Sequence, residues 1–305
     1  MIRAPWGDQK YWDGRFDRFD TVIKEDFIRF KQPSKNPGYR PQFTFDTAFY
    51  CFRLICIRYS RGDAIGELSQ YFNGLLDAWE LSNELANELN ATLEPGQGWD
   101  HRHILTAAQA SEDSRSHSDP RAWVFSLDNL NHYNWCFWLV GLALLLEIDD
   151  ALWKRLLRLV GGEGEDVLLD RVIAAKEKDR KIGTTLLHEK PYARLLKAID
   201  APQEEQATFL KVFVENWYNE LNRKGNEELW WYIYGDPNKH PLSQGSYFGR
   251  WCIEAAVCAK VFGLDDSLCR SHEYYPEALV HNNDPSDPNV VEQPRSWFSK
   301  LFAIK

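Results

Sequence analysis

Residues 245–279, GSYFGRWCIEAAVCAKVFGLDDSLCRSHEYYPEAL, constrain the fold more than any other part of the chain. Tyr247, Trp251, Ala255, Cys258 and Phe262 recur at intervals of four, four, three and four, which predicts a helix carrying all five along one side. Ala255, Ala256 and Ala259 keep such a helix narrow, so that a neighbour can approach closely. Gly263 supplies the positive φ at which a helix stops, and Asp265 or Asp266 can cap whatever starts next. The segment reads as a packing module.

The same periodicity runs through most of the chain. Trp12, Phe16, Phe19, Ile23, Phe27 and Phe30 predict an amphipathic helix that ends before Pro33 and a loop containing Pro37 and Pro41. A second helix is predicted over 43–59, apolar on nearly every side and therefore central. A third is predicted after Gly62, with Asp63 as N-cap and Ile65, Leu68, Phe72, Leu75 and Trp79 inward. Three helices joined by short loops make a bundle. Residues 94–128 change character: PGQG, a possible short helix at 104–110, then the polar run SEDSRSHSDP. Helices resume over 127–148, 151–160, 166–178, 192–199, 204–221 and 227–234. GGEGED at 161–166 stands among them as an acidic hinge. WWYIY at 230–234 also suits a strand, but no partner strand is evident, so it is read as helical. The expected fold is all-α: an N-terminal helical bundle over 1–125, a larger all-helical domain over 126–285, and a tail over 286–305.

Composition narrows the function classes. The 13 Trp, 13 Tyr and 17 Phe against one Met favour a core of large rigid side chains and one fixed structure. A net charge of −9, spread over both halves, repels phosphate backbones and would steer a basic partner toward the chain. Six cysteines lie mostly in apolar stretches without a zinc spacing, and read as buried and reduced. The N-terminus has no apolar signal region, and the longest apolar run is 12 residues, too short to span a bilayer. A soluble cytoplasmic protein is expected.

A family resemblance rests on Tyr247, Gly249, Trp251, Glu254, Ala255, Ala256, Gly263, Asp265, Asp266, Tyr274, Tyr275, Pro276 and Leu279. Further matches are Phe209, Leu210, Trp217 and Tyr218 in FLKVFVENWYNELNR, and, more loosely, YWDGRFDRF and RYSRGDAIGELSQYFNGLLDAWE. In these the chain resembles the PoNi-type immunity proteins, which guard bacteria against polymorphic nuclease toxins passed between competing cells, as by type VI secretion. The resemblance implies an all-helical, two-part, non-enzymatic protein without cofactor, whose signature block is structural. It also implies a partner: a toxin that is typically a metal-dependent DNase with a restriction-endonuclease-like core.

Several residues carry candidate chemistry. Asp13, Asp17 and Asp20, at i, i+4 and i+7, share one face of the first helix: either an acidic docking stripe for a basic toxin or an ordinary solvated face, with Asp20 pairing Lys24. Glu163, Glu165 and Asp166 of the hinge are the second acidic candidates. Glu254 among apolar residues is either a general acid of raised pKa or a structural group with partners. His101 and His103 lack a further ligand set, so no metal site is expected. The terminal SWFSKLFAIK is read as docking back onto the fold rather than touching a membrane. No His-Asp dyad, Gly-x-Ser-x-Gly elbow or P-loop is present. The leading expectation is an immunity protein that blocks a DNase toxin without binding nucleic acid itself. The alternative is an all-helical carbohydrate-active enzyme using paired carboxylates, suggested by the abundant Trp.

Overall fold

The computed structural model describes residues 1–92 and 125–281. His101, His103, the expected short helix at 104–110, the polar run that follows it and the 286–305 tail lie outside the described residues. Among the described residues the fold is all-α, with no strand. Its helices are α1 (Gln9–Phe30), α2 (Arg40–Arg61), α3 (Phe72–Ala91), α4 (Leu130–Leu145), α5 (Asp150–Val160), α6 (Val167–Ala174), α7 (Glu189–Asp200), α8 (Gln203–Glu220), α9 (Ile253–Phe262) and α10 (Glu277–Val280).

Four helix starts are set by short polar side chains that take up otherwise unpaired N–H groups. Asp8, Asn129, Asp149 and Asp166 accept from the first turns of α1, α4, α5 and α6. α2 packs against both α1 and α3, α7 against α8, and α4 against α9. Helices α4 and α9 are apolar almost all round and sit in the core. Their close approach needs Gly141, where an added Cβ would lie 2.8 Å from Cγ2 of Ile253 and 3.3 Å from Cγ1 of Val257. The small residues predicted on α9 thus have a glycine on α4 as their counterpart. A salt-bridge cluster ties α5 to α3, with Arg155 reaching Asp77 and Glu80. The apolar core runs without interruption from α1 to α10.

Three local expectations are corrected. The helix predicted through Tyr247 and Trp251 begins only at Ile253, and 247–252 is non-helical. Gly249 has φ +103°, and the N–H of Cys252 donates to the carbonyl of Tyr274 at 2.8 Å, so this stretch is bonded to another segment rather than to its own next turn. Residues 230–234 form neither a strand nor an α-helix but lead into a short 3₁₀ turn at Tyr232–Gly235. Their rings go to different neighbours: Trp230 to Phe49, Trp231 to Trp138 and Trp217, Tyr232 to Tyr218. No single helical stripe could serve all three. Asp63 is not an N-cap. It pairs with Arg58 and Arg61, a 3₁₀ segment follows at Ile65–Tyr71, and α3 begins at Phe72. The apolar positions of that region, Ile65 to Trp79, are nonetheless buried as predicted.

Gly249 yields a first prediction. An alanine there would have to hold a positive φ, with its Cβ 2.2 Å from Nε1 of Trp251 and 2.5 Å from Oγ of Ser60, two atoms joined by a 2.9 Å hydrogen bond. Gly249→Ala is expected to lower stability by about 2 kcal/mol in urea denaturation. An unchanged midpoint would show that the 247–252 stretch yields without cost.

Candidate functional site

Helix α1 holds the acidic triplet about 100° round from its buried residues Trp12, Phe19 and Ile23. The three acids differ in availability. Asp17 is exposed. Asp13, half-exposed at its side chain, accepts from Gln9 and pairs with Arg61 at 3.3 Å. Asp20, only 15% exposed, is engaged by Lys24 at 2.5 Å. The face therefore presents one open carboxylate, one shared and one neutralised.

The hinge acids separate in a different way. Glu163 and Glu165 are exposed, and Glu163 accepts from the N–H of Lys181 at 2.7 Å. Asp166 is 0% exposed. It accepts from Tyr133 Oη at 2.9 Å and from the N–H groups of Leu168 at 3.0 Å, Leu169 at 2.7 Å and Leu187 at 2.8 Å. Asp166 cannot meet a partner and is corrected to a structural residue. Sequence gave it the same rank as its neighbours because its burial depends on Tyr133 and Leu187, both distant in the chain. The triplet and the hinge acids belong to different packing groups, α1 with α2 and α5–α6 with α3, α4 and α9.

The 245–279 block is built into the interior. Tyr247 packs edge-on to Trp6 and its carbonyl accepts from Tyr11 Oη at 2.7 Å, while Trp251 meets Tyr59 edge-on at 4.9 Å. Gly263 ends α9 in the left-handed conformation. Asp265 is exposed and closes a local turn through Ser267 rather than capping a helix. Asp266, 3% exposed, accepts from Tyr275 and His281 at 2.7 Å and from Arg270 at 3.0 Å. Burial opposes its charge, yet those hydrogen bonds outweigh burial and hold the carboxyl below its ordinary value. Tyr274 lies under the Arg250 guanidinium at 4.3 Å, and Pro276 leads into α10.

Glu254 is the block's other buried carboxyl group. It is 0% exposed between α4, α7, α8 and α9, and its Oε1 accepts from Tyr192 Oη at 3.0 Å and Trp217 Nε1 at 3.2 Å. Tyr192 in turn accepts from Asn134. The Trp138 indole N–H bears on the carboxyl without completing a hydrogen bond, and Oε2 has no partner. Burial pushes this acid up to about 7, against the opposing effect of its donors. The groups that act on it most strongly are hydrogen-bond donors, not a second carboxylate. Paired-carboxylate catalysis requires two acids flanking an accessible bond. Among the described residues, most of the tryptophans that suggested a sugar groove are interior: Trp12, Trp79, Trp135, Trp153 and Trp217 are at most 2% exposed.

Among the described residues no group of three or more His, Cys, Asp or Glu side chains is arranged to hold a metal ion, and no helix is long and apolar enough to cross a membrane. The six cysteines are buried and free.

Residues 3–158 match the family model described as PoNe immunity protein (PoNi), N-terminal, and residues 164–279 match the one described as PoNe immunity proteins (PoNi), C-terminal. The two ranges meet at the GGEGED segment. Among solved structures, the crystal structure of protein PA2201 from Pseudomonas aeruginosa shares the fold at a TM-score of 0.60 and 18% identity, over 92% of this chain and 90% of that one. No curated protein matches.

Proposed function

The chain belongs to the PoNe immunity protein (PoNi) family, and from that membership we propose that it acts in the cytoplasm by binding a cognate antibacterial DNase toxin and occluding its active site. The observation that carries this reading is the match of both family halves across nearly the whole chain. Protection by occlusion needs shape and charge rather than turnover. An interface of about 1,600 Å² in total suffices for tight association. A net charge of −9 favours encounter with the basic groove of a DNA-cutting enzyme and disfavours contact with the DNA itself. The rigid aromatic core keeps the docking surface in one shape, which limits the entropy lost on binding.

Co-purification with the product of the neighbouring gene, together with loss of that product's DNA cleavage on adding this protein, tests the reading directly. Continued cleavage with the immunity protein in excess would rule it out.

Within this reading the outer face of α1 docks on the toxin, with Asp17 as its most available acid and Asp13 beside it. Asp17→Lys is expected to slow association roughly tenfold at low salt, with the effect shrinking as salt is raised. The melting temperature should barely change, because Asp17 is an exposed helix position. Unaltered association kinetics would move the docking face elsewhere.

A further inference from the structure

A surface cavity of about 180 Å³ lies between α1, α2 and the segment at 244–246, and three arginines, Arg15, Arg18 and Arg53, contribute to its lining while no carboxylate does. Arg15 is 5% exposed, and its Nε and Nη2 have no hydrogen-bond partner. Nε of Arg53 is equally without one. Aromatic rings cover the guanidinium faces: Arg15 lies 4.7 Å from the Phe19 centroid, and Arg53 lies 4.9 Å from Trp230 and 5.6 Å from Phe248. Such stacking holds the planar groups in place but leaves their N–H edges unpaired.

This departs from how the chain treats its other shielded arginines. Arg58 has Asp63 and Glu67, Arg180 has Asp170, Arg155 has Asp77 and Glu80, and Arg250 has Glu273. Near Arg53 the acid at hand is Asp46, which bears on it electrostatically but accepts its hydrogen bonds from Gln42 and Tyr39. Arg15 and Arg53, shielded and set beside the exposed Arg18 with no carboxylate bonded to them, are costly, and an oxyanion brought in from outside relieves that cost.

We infer that this cavity receives the carboxylate of an acidic side chain on the bound toxin, an inference that rests on the toxin-binding reading above. Arg15 and Arg18 lie on α1, the helix whose outer face carries Asp17, so the cavity adjoins the proposed docking face. Its size suits a single side chain. A nucleic acid is disfavoured because the surrounding protein is net acidic and the cavity takes one anion, not a run of phosphates. Arginine forks match a planar carboxylate through paired N–H donors. The interface would then be charged in both senses: an acidic α1 face offered to basic groups, and a basic socket beside it for one acid, which fixes register.

The test has two arms, both on the full chain. Inorganic sulfate is titrated at constant ionic strength while the Arg Nε–H resonances are followed by NMR, and saturable shifts are expected for Arg15 and Arg53. In the second arm the affinity of the neighbouring-gene toxin is measured for the Arg18→Gln/Arg53→Gln double variant, where a loss of roughly 30-fold or more is expected without a fall in melting temperature. Ser246→Glu, which places a carboxylate at the cavity mouth, is expected to raise the melting temperature and weaken toxin binding by a similar factor. Toxin binding by both variants within twofold of the unmodified protein overturns the inference, and sulfate shifts in that case would mark an adventitious ion only. Failure of the unmodified protein to bind the toxin overturns the functional reading, and with it the toxin as source of the anion. The sulfate titration reports on the socket independently of that result.

Discussion

Asp166→Ala is expected to lower the free energy of unfolding by roughly 3–5 kcal/mol, because it strips the acceptor from several buried donors at once. The carboxylate is 0% exposed and serves Tyr133 Oη and the N–H groups of Leu168, Leu169 and Leu187. Two of those bonds cap α6, and the others join that cap to α4 and to the chain entering α7. Loss of the cap alone costs about 1 kcal/mol, and each further donor left dry in the interior adds about 1–3 kcal/mol. Asp166→Asn keeps one acceptor oxygen but replaces the other with a donor facing a donor, so an intermediate loss is expected. Urea denaturation of the three proteins decides the matter. A loss below about 1 kcal/mol for alanine would mean that water replaces the carboxylate. Toxin affinity per folded molecule should be unchanged, in contrast with Asp17→Lys.

Glu254→Gln is expected to change the pH dependence of stability rather than its value at acid pH. The acid is held at about 7 in the folded chain against an ordinary value of 4.5, chiefly by burial. Below about pH 4.5 folded and unfolded chains both keep the proton, and burial carries no ionisation penalty. Between 4.5 and about 7 the unfolded chain releases the proton while the folded chain retains it, so stability falls as pH rises. Above about 7 the loss is complete, at roughly 3 kcal/mol. Glutamine retains an oxygen for Tyr192 and Trp217 and cannot ionise. The variant should therefore follow the parent protein near pH 5 and exceed it by about 3 kcal/mol at pH 8, apart from a constant offset. Parallel stability curves from pH 5 to 8 would show that Glu254 does not take up its proton in that window.

Much of the helical framework was legible in the order of residues. The spacing of Trp12 to Phe30 located α1, and the apolar run at 127–148 located α4, because a 3.6-residue period is a local property of the chain. The failures share a cause. Tyr247 and Trp251 satisfy the period of α9 yet lie outside it, since a glycine at positive φ and a bond to the Tyr274 carbonyl remove them from the helix. Trp230 to Tyr232 carry rings that separate partners claim. Periodicity registers what a residue could face, not which distant group binds it.

The acidic candidates show the same division. Asp17, on a predicted helix face, and Asp166, in the acidic hinge, are equivalent as candidate acids in the sequence, yet one is exposed and the other sealed. Arg15 and Arg18 were visible only as charges beside an acidic stripe. Their cavity exists because Arg53 of α2 and the 244–246 segment close around them.

By itself, then, the sequence determined the all-α class, most helix positions and the resemblance to the PoNi family, since these reside in local spacing and in matched residues. Only the tertiary structure decided which charges are sealed, shared or open: Asp166 by Tyr133 and Leu187, Glu254 by Tyr192 and Trp217, Arg15 by a loop more than two hundred residues away. Burial and pairing are properties of neighbours in space, and long-range neighbours are not written in the order of residues.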